Sequence, residues 1–367
     1  MSKPAAIYYP QLDGLRGIAF LCVFFFHAYH PHFIDNLFGG YLQFLYSNLA
    51  LSIDTFFVYS SFLLTLLGIR EFEKNGNFSF LNFFLRRTFR IWPLYYVLML
   101  LIFVIIPFIA KKNGVSMTLP PSGYYLFFLS NFYMDGQVFM LKFLWTLSVE
   151  EQFYLIWGFV LLKFQNKFTL IITIFLLLSV GFTIYSDITY FPNFNNTLSY
   201  LFDFSAGALA AIALHKRNPV ALFFERITKI QSYVFIIIIP LFLSITFFLI
   251  DRQASITYKL LFQDLYRYFF VVYIAFLIIE QLLNKNTILK LGSIRILVYT
   301  GKICYGMYCF HGIVLTLGFY IFEKYAFRDY LLGNAFIMLA GTYLLASLSY
   351  RFIEKPFLRM KDRLRRV

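Results

Sequence analysis

Ten runs of mostly apolar residues divide this 367-residue chain from end to end, and no other feature narrows its folding options as much. They lie at about 15–34, 47–69, 91–110, 143–162, 168–186, 199–214, 233–250, 263–283, 298–322 and 334–353. A helix needs about 20 residues to cross roughly 30 Å of hydrocarbon, and all but the short 199–214 run come close to that length. A further aromatic stretch, Tyr124 to Phe132, is too short to cross and is expected to lie at the interface or to re-enter. Alternation of period two, the mark of a membrane barrel, is absent. Apolar residues make up 60% of the chain and charged residues 14%, against about 45–50% and about 25% in soluble domains. So few charges cannot cover a water-facing surface. The expected fold class is an all-α integral membrane protein of about ten transmembrane helices.

Basic residues set the expected orientation. With both termini cytoplasmic, the inner segments hold 22 of the 32 Lys and Arg and the outer segments hold 7. Cytoplasmic loops carry such an excess, and an even number of spans preserves it. The same clustering accounts for the net charge of +14 without nucleic acid. No linker, repeat or soluble appendage interrupts the pattern, so one transmembrane domain over 1–367, without a separate soluble domain, is expected. The first apolar run holds Arg16 and His27 and lacks a small-residue cleavage site, so it reads as a retained span. Cys22, Cys304 and Cys309 lie inside apolar runs and make no disulfide framework. The five histidines never fall in HxH or HExxH spacing, so no metal is expected.

Ionisable groups inside spans are costly and therefore functional candidates. The first run, LDGLRGIAFLCVFFFHAYH, carries Asp13, Arg16, His27 and His30. Arg16 and His27 are eleven residues apart, about 16 Å and three turns along a helix, so they share a face. The fourth run, WTLSVEEQFYLIW, carries Glu150 and Glu151, which antiparallel packing would set at the depth of His27. A carboxylate beside an imidazole makes a general base. The two glutamates differ by about 100° around the helix, so one of them faces the site. In LRRTFRIWPLYY, Arg86, Arg87 and Arg90 cluster at the opening of the third run, a pattern suited to phosphates. Each feature also has a purely structural reading: a snorkelling arginine, a packing network and a positive-inside anchor. Asp54 and Ser60 in SIDTFFVYSSFLL, Tyr308 and His311 in CYGMYCFHG, and Arg351 and Glu354 in SYRFIEKPF are weaker candidates for substrate or structural support. The last pair, spaced i,i+3, reads as a local brace or cofactor gate. His30, His32 and His215 read as interfacial.

The Arg16–His27 spacing, followed in order by IDTFFVYSSFLL, RRTFRIWPLYY, WTLSVEEQFYLIW, CYGMYCFH and SYRFIEKPF, resembles the membrane acyltransferase-3 family over nearly the whole chain. The resemblance implies a ten-helix O-acyltransferase that moves an acyl group, most often acetyl, from cytoplasmic acetyl-CoA to a hydroxyl of a surface or lipid-linked saccharide. It implies His27 as the catalytic residue, and Arg16, Arg86, Arg87 and Arg90 as holders of the acyl-CoA donor. Glu150 or Glu151 would support the histidine or the acceptor, with membrane lipid as a further partner. The chain departs from the family at Ser61, where glycine is common, at Trp157-Gly158 in place of Trp-Pro, and at Gly312-Ile313 after the last histidine.

On this reading His27 is either a general base or an acyl relay, since histidine is also a competent nucleophile. The oxyanion donor is open among backbone amides, Tyr308, a serine and Arg16. Direct transfer, with no second catalytic domain in the chain, is the expected arrangement. A transporter of a sugar, lipid or anion is the main rival. An acyl-sensing scaffold is the second. Thioester-dependent product formation separates both from an enzyme.

Overall fold

A computed structural model describes residues 8–28, 44–133, 138–164, 167–191, 194–251, 256–325 and 331–363. His30 and His32 fall outside them. Among the described residues the secondary structure is helical, with no strand. The long elements are α1 (Pro10–Ala28), α2 (Ser52–Asn75), α3 (Phe80–Leu100), α4 (Trp145–Lys163), α5 (Phe168–Thr189) and α6 (Leu201–Lys216). They are followed by the short α7 (Pro219–Arg226), then α8 (Lys229–Asp251), α9 (Ile256–Leu283), α10 (Arg295–Lys324), α11 (Leu331–Ser349) and α12 (Lys355–Arg363). A π-helical turn at Leu101–Ile105 carries α3 on into Ile106–Lys112, and another at Tyr350–Glu354 joins α11 to α12.

Among the described residues, eight helices are long and apolar enough to cross a membrane, so the chain is a multi-spanning helical bundle. The short 199–214 run is one of them, within Thr197–Lys216. Helix α4 is 19 residues long but carries Glu150, Glu151 and Gln152, which lower its hydropathy. Within α8, Lys229–Ile239 is a shorter apolar helix among the described residues. The aromatic stretch near Tyr124 forms only a short helix, Ser122–Leu126, and a 3-10 turn, Ser130–Phe132.

The chain divides into two compact units. The first comprises Met1–Phe26, Pro31–Leu66 and Phe202–Cys304. Its core sets the alanine face of α6 (Ala206, Ala210, Ala213) against Val58 and Phe62 of α2 and Ile274 and Ile278 of α9. Small side chains let helix backbones approach closely, which substitutes for a hydrophobic drive in lipid. The crossing of α1 over the start of α10 is closer still. A Cβ on Gly301 would stand 1.8 Å from the Asp13 carbonyl oxygen, and one on Gly17 would stand 2.3 Å from the Leu297 carbonyl oxygen. Only glycine fits there. Ser61, the departure from the family's glycine, donates its hydroxyl to the Phe204 carbonyl and so clasps α2 to α6.

The second unit comprises His27–His30, Leu67–Leu201 and Tyr305–Val367. Its interior is aromatic. The Trp157 ring stacks on Phe153 at 5.5 Å, and Tyr95 stacks on Phe128 at 4.4 Å. The hydroxyl of buried Tyr95 donates to the Tyr125 carbonyl at 2.7 Å, and that of Tyr305 donates to the Ile91 carbonyl at 2.7 Å, so neither polar tip is left unpaired in the core.

Candidate active site

Within the second unit, His27 closes α1 against Phe143, with ring centroids 4.1 Å apart. His311, in mid-α10, lies 4.6 Å from the same phenylalanine and 5.5 Å from His27. Two imidazoles thus share one aromatic wall. Gly312 makes this possible, because a Cβ there would meet the Met140 carbonyl oxygen at 2.9 Å and the Phe143 ring at 3.1 Å. His311 Nδ1 is 2.6 Å from the Tyr308 carbonyl, which can only accept, so Nδ1 carries the hydrogen and the lone pair of the neutral ring sits on Nε2. Tyr308 donates its hydroxyl to the Phe143 carbonyl and also meets the Thr146 hydroxyl, which fixes the turn leading into α4.

The two glutamates lie side by side on α4. Trp92 Nε1 donates to Glu151 Oε2 at 3.2 Å, and Tyr154 donates its hydroxyl to Glu150 Oε2 at 2.8 Å. Glu151 is buried, and its second carboxylate oxygen has no hydrogen-bond partner among the described residues. Phe143, which packs against His27, lies in the turn just before α4 begins at Trp145.

The arginine cluster divides by partner. Arg86 is tied to Glu71 at 2.6 Å, and Glu71 also receives the Ser79 amide at 3.2 Å, so this pair braces the turn between α2 and α3. The Arg87 guanidinium lies 5.9 Å over the Tyr154 ring. Arg90 is half-buried one turn beyond Arg86. At the other end of the chain, Arg351 and Glu354 do not form the expected brace. The π-helical turn spreads the i,i+3 spacing, so exposed Arg351 lies 5.6 Å over Phe352 while buried Glu354 accepts from Ser349 at 3.2 Å.

The first unit holds the remaining candidates. Arg16 is buried, with its guanidinium 5.0 Å over the Tyr59 ring and 3.8 Å from Asp13. Ser60 is half-buried on α2. Asp54 meets Arg267 of α9 through two bonds of 3.2 Å, and the same guanidinium reaches Asp203 of α6 at 2.6 Å. Both carboxylates are essentially inaccessible. Arg267 and Asp203 have no role in the sequence analysis above, although a charge in an apolar run is the very signal that singles out Asp54. His215 is half-buried at the end of α6. Among the described residues no group of three or more His, Cys, Asp and Glu is placed to hold a metal ion.

A family model described as an acyltransferase domain matches residues 9–350, and the chain belongs to that family. It is 28% identical to the peptidoglycan O-acetyltransferase OatA of Listeria monocytogenes, over 95% of this chain and 56% of that protein. It is 27% identical to a putative O-acetyltransferase of Staphylococcus aureus strain COL, over 95% of this chain and 57% of the relative. The O-acetyltransferase OatA of Staphylococcus aureus strain NCTC 8325 is 28% identical over the same shares. The chain thus spans little more than half the length of these relatives. No solved structure matches it.

Proposed function

We propose that this membrane-embedded member of the acyltransferase family transfers an acyl group, in the first instance acetyl, from cytoplasmic acyl-CoA to a hydroxyl of a cell-surface or lipid-linked saccharide. The observation that carries the reading is the placement of His27, half-buried at the end of α1 on a wall of Phe143 and His311. A neutral imidazole set against an aromatic wall is suited to take a proton from an alcohol. Relatives named as O-acetyltransferases, one of them for peptidoglycan, support the acetyl group and the glycan acceptor.

In the proposed reaction the acceptor oxygen attacks the thioester carbonyl carbon while His27 removes the hydroxyl proton. The carbon–sulfur bond then breaks, and CoA leaves as the thiol with the proton returned from the imidazolium. In this scheme Arg87 and Arg90 hold the donor phosphates, and Arg86, paired with Glu71, positions the start of α3. Arg16, three turns before His27 on α1, is assigned to the donor near its reacting end. Glu150 and Glu151 support the acceptor side or the packing of α4 in this scheme, since their bonds run to Tyr154 and Trp92. Asp13, Asp54, Ser60, Tyr308, His311, Arg351 and Glu354 are assigned supporting roles. The proposal includes ten crossings, one membrane domain over the chain, both termini on the cytoplasmic side and residence in the inner membrane, which the 22-to-7 distribution of basic residues supports.

The test is CoA release by protein in lipid nanodiscs, with and without membrane glycan extract, for wild type and His27→Ala. Glycan-stimulated release that the variant loses while still binding acetyl-CoA supports the reading. Failure of the wild type to bind any short acyl-CoA refutes it and favours transport.

A further inference from the structure

In the first unit, α7, α8 and α9 enclose a groove of about 550 Å3 lined almost wholly by carbon, including Val220 and Phe223 of α7, Phe235 of α8, and Phe269, Val272 and Phe276 of α9. Its volume falls within the range of about 300–1,000 Å3 typical of small-molecule sites. Phe223 is 57% exposed, and Val220, Val272 and Phe276 are each 36% exposed, so the groove opens on the outer face of the helices. Helix α9 belongs to one of the eight spans, and the neighbouring stretch of α8 is apolar. An open groove on such helices faces hydrocarbon.

One end of the groove is ringed with cations. Lys216 and Arg217 close α6, Arg226 closes α7, Lys229 opens α8 and Lys285 follows α9, and all five are exposed. The Asn286 side chain donates to the Ile227 carbonyl at 3.3 Å, which brings the loop after α9 up to the end of α7. Glu225 stands alone among them and is paired with Arg217. Arg217, through that bond, holds the Glu225 carboxyl below the usual range, and Lys285 and Arg226 add to the effect. The sequence explains the local geometry. Asn218 caps α7 by accepting the Ala221 amide at 3.0 Å, and Pro219 starts the helix. Helical spacing then sets Pro219, Phe223 and Arg226 on one face, so a cation stands at the lip of the apolar groove.

We infer that the groove is a binding site for an acyl chain of an anionic phospholipid, with its headgroup phosphate held by Arg226, Lys229 and Lys216. An apolar channel on a lipid-facing surface selects a hydrocarbon chain. The excess of cations at its end selects an anionic headgroup over a zwitterionic one, as clustered Lys and Arg do at membrane surfaces. The inference does not depend on the acyl-transfer reading.

Native mass spectrometry of the delipidated full chain, titrated with phosphatidylglycerol or with phosphatidylcholine of the same chains, tests it. The wild type should retain phosphatidylglycerol at concentrations at least about tenfold lower than phosphatidylcholine. The triple variant Lys216→Gln, Arg226→Gln, Lys229→Gln changes only exposed side chains and should bring the two lipids level. Val272→Trp, which fills the groove, should weaken both. Equal retention by the wild type, or undiminished phosphatidylglycerol retention by the triple variant, overturns the assignment. Displacement of the lipid by acetyl-CoA also overturns it, because the cations would then belong to the donor.

Discussion

Replacing Gly301 by alanine places a methyl carbon 1.8 Å from the Asp13 carbonyl oxygen, where ordinary contact begins at 3.4 Å. The atom it meets is backbone, so no side chain can swing aside. Helices α1 and α10 must part by the difference, 1.6 Å, at that crossing. Overpacking of a tight contact costs about 1–3 kcal/mol. Displacing Asp13 also moves Arg16, one turn on, which the proposed scheme sets beside the donor, and a shift of about 1 Å at a positioning group costs on the order of 100-fold in rate. Gly181 supplies the control. It lies within a helix with nothing within 4 Å of its added Cβ, so Gly181→Ala should be neutral or stabilising by up to about 1 kcal/mol. Cys304 and Cys309 are each only 2% exposed, so a thiol-reactive dye reports unfolding in detergent directly. The expected result is a fall in midpoint on the order of 5 °C for Gly301→Ala and none for Gly181→Ala. Equal midpoints and equal activity for the two variants would refute the reasoning that α1 and α10 touch through glycine.

Other outcomes follow from named contacts. Arg267→Gln leaves Asp54 and Asp203 buried without their shared cation and should cost about 3–5 kcal/mol, read by the same dye. Adding Asp54→Asn and Asp203→Asn to it should restore much of the loss, and no recovery would mean that the charges are not the cause. Glu280 is fully buried and accepts four bonds, from Ser232, Asn284, Gln281 and Thr287, at 2.7–3.1 Å. Glu280→Ala should therefore leave several donors unsatisfied and cost at least about 2 kcal/mol. Arg86→Gln and Glu71→Gln should lower stability by similar amounts and non-additively, with little change in the KM for acyl-CoA. Arg87→Gln and Arg90→Gln should instead raise that KM by about tenfold each, as loss of a bond to a charged group would. Steady-state kinetics over donor concentration separates the two pairs.

The membrane class and most spans could be read from hydropathy because crossing lipid demands long apolar helices, a requirement local enough to survive without knowledge of packing. His27 could also be singled out as a candidate, since an ionisable ring in such a run is rare. What surrounds it was not. Phe143 looks like any lipid-facing aromatic until α4 is placed, and the two adjacent glutamates cannot be phased without knowing that Trp92 meets one and Tyr154 the other. Asp54 pairs with Arg267 across 213 residues of sequence and Asp203 across 64, separations that no helical spacing rule links. Arg351 and Glu354 fail for the opposite reason. Their spacing is local, but the π-helical turn breaks the periodicity on which the expected brace relied.

The most direct test of the central claim follows an isotopically labelled acetyl group from acetyl-CoA into a glycan acceptor, by mass spectrometry, in nanodiscs holding wild type or His27→Ala. The account predicts one acetyl group gained on an acceptor hydroxyl, with a rate about 100- to 10,000-fold lower in the variant although acetyl-CoA still binds. Undiminished transfer by His27→Ala would contradict it.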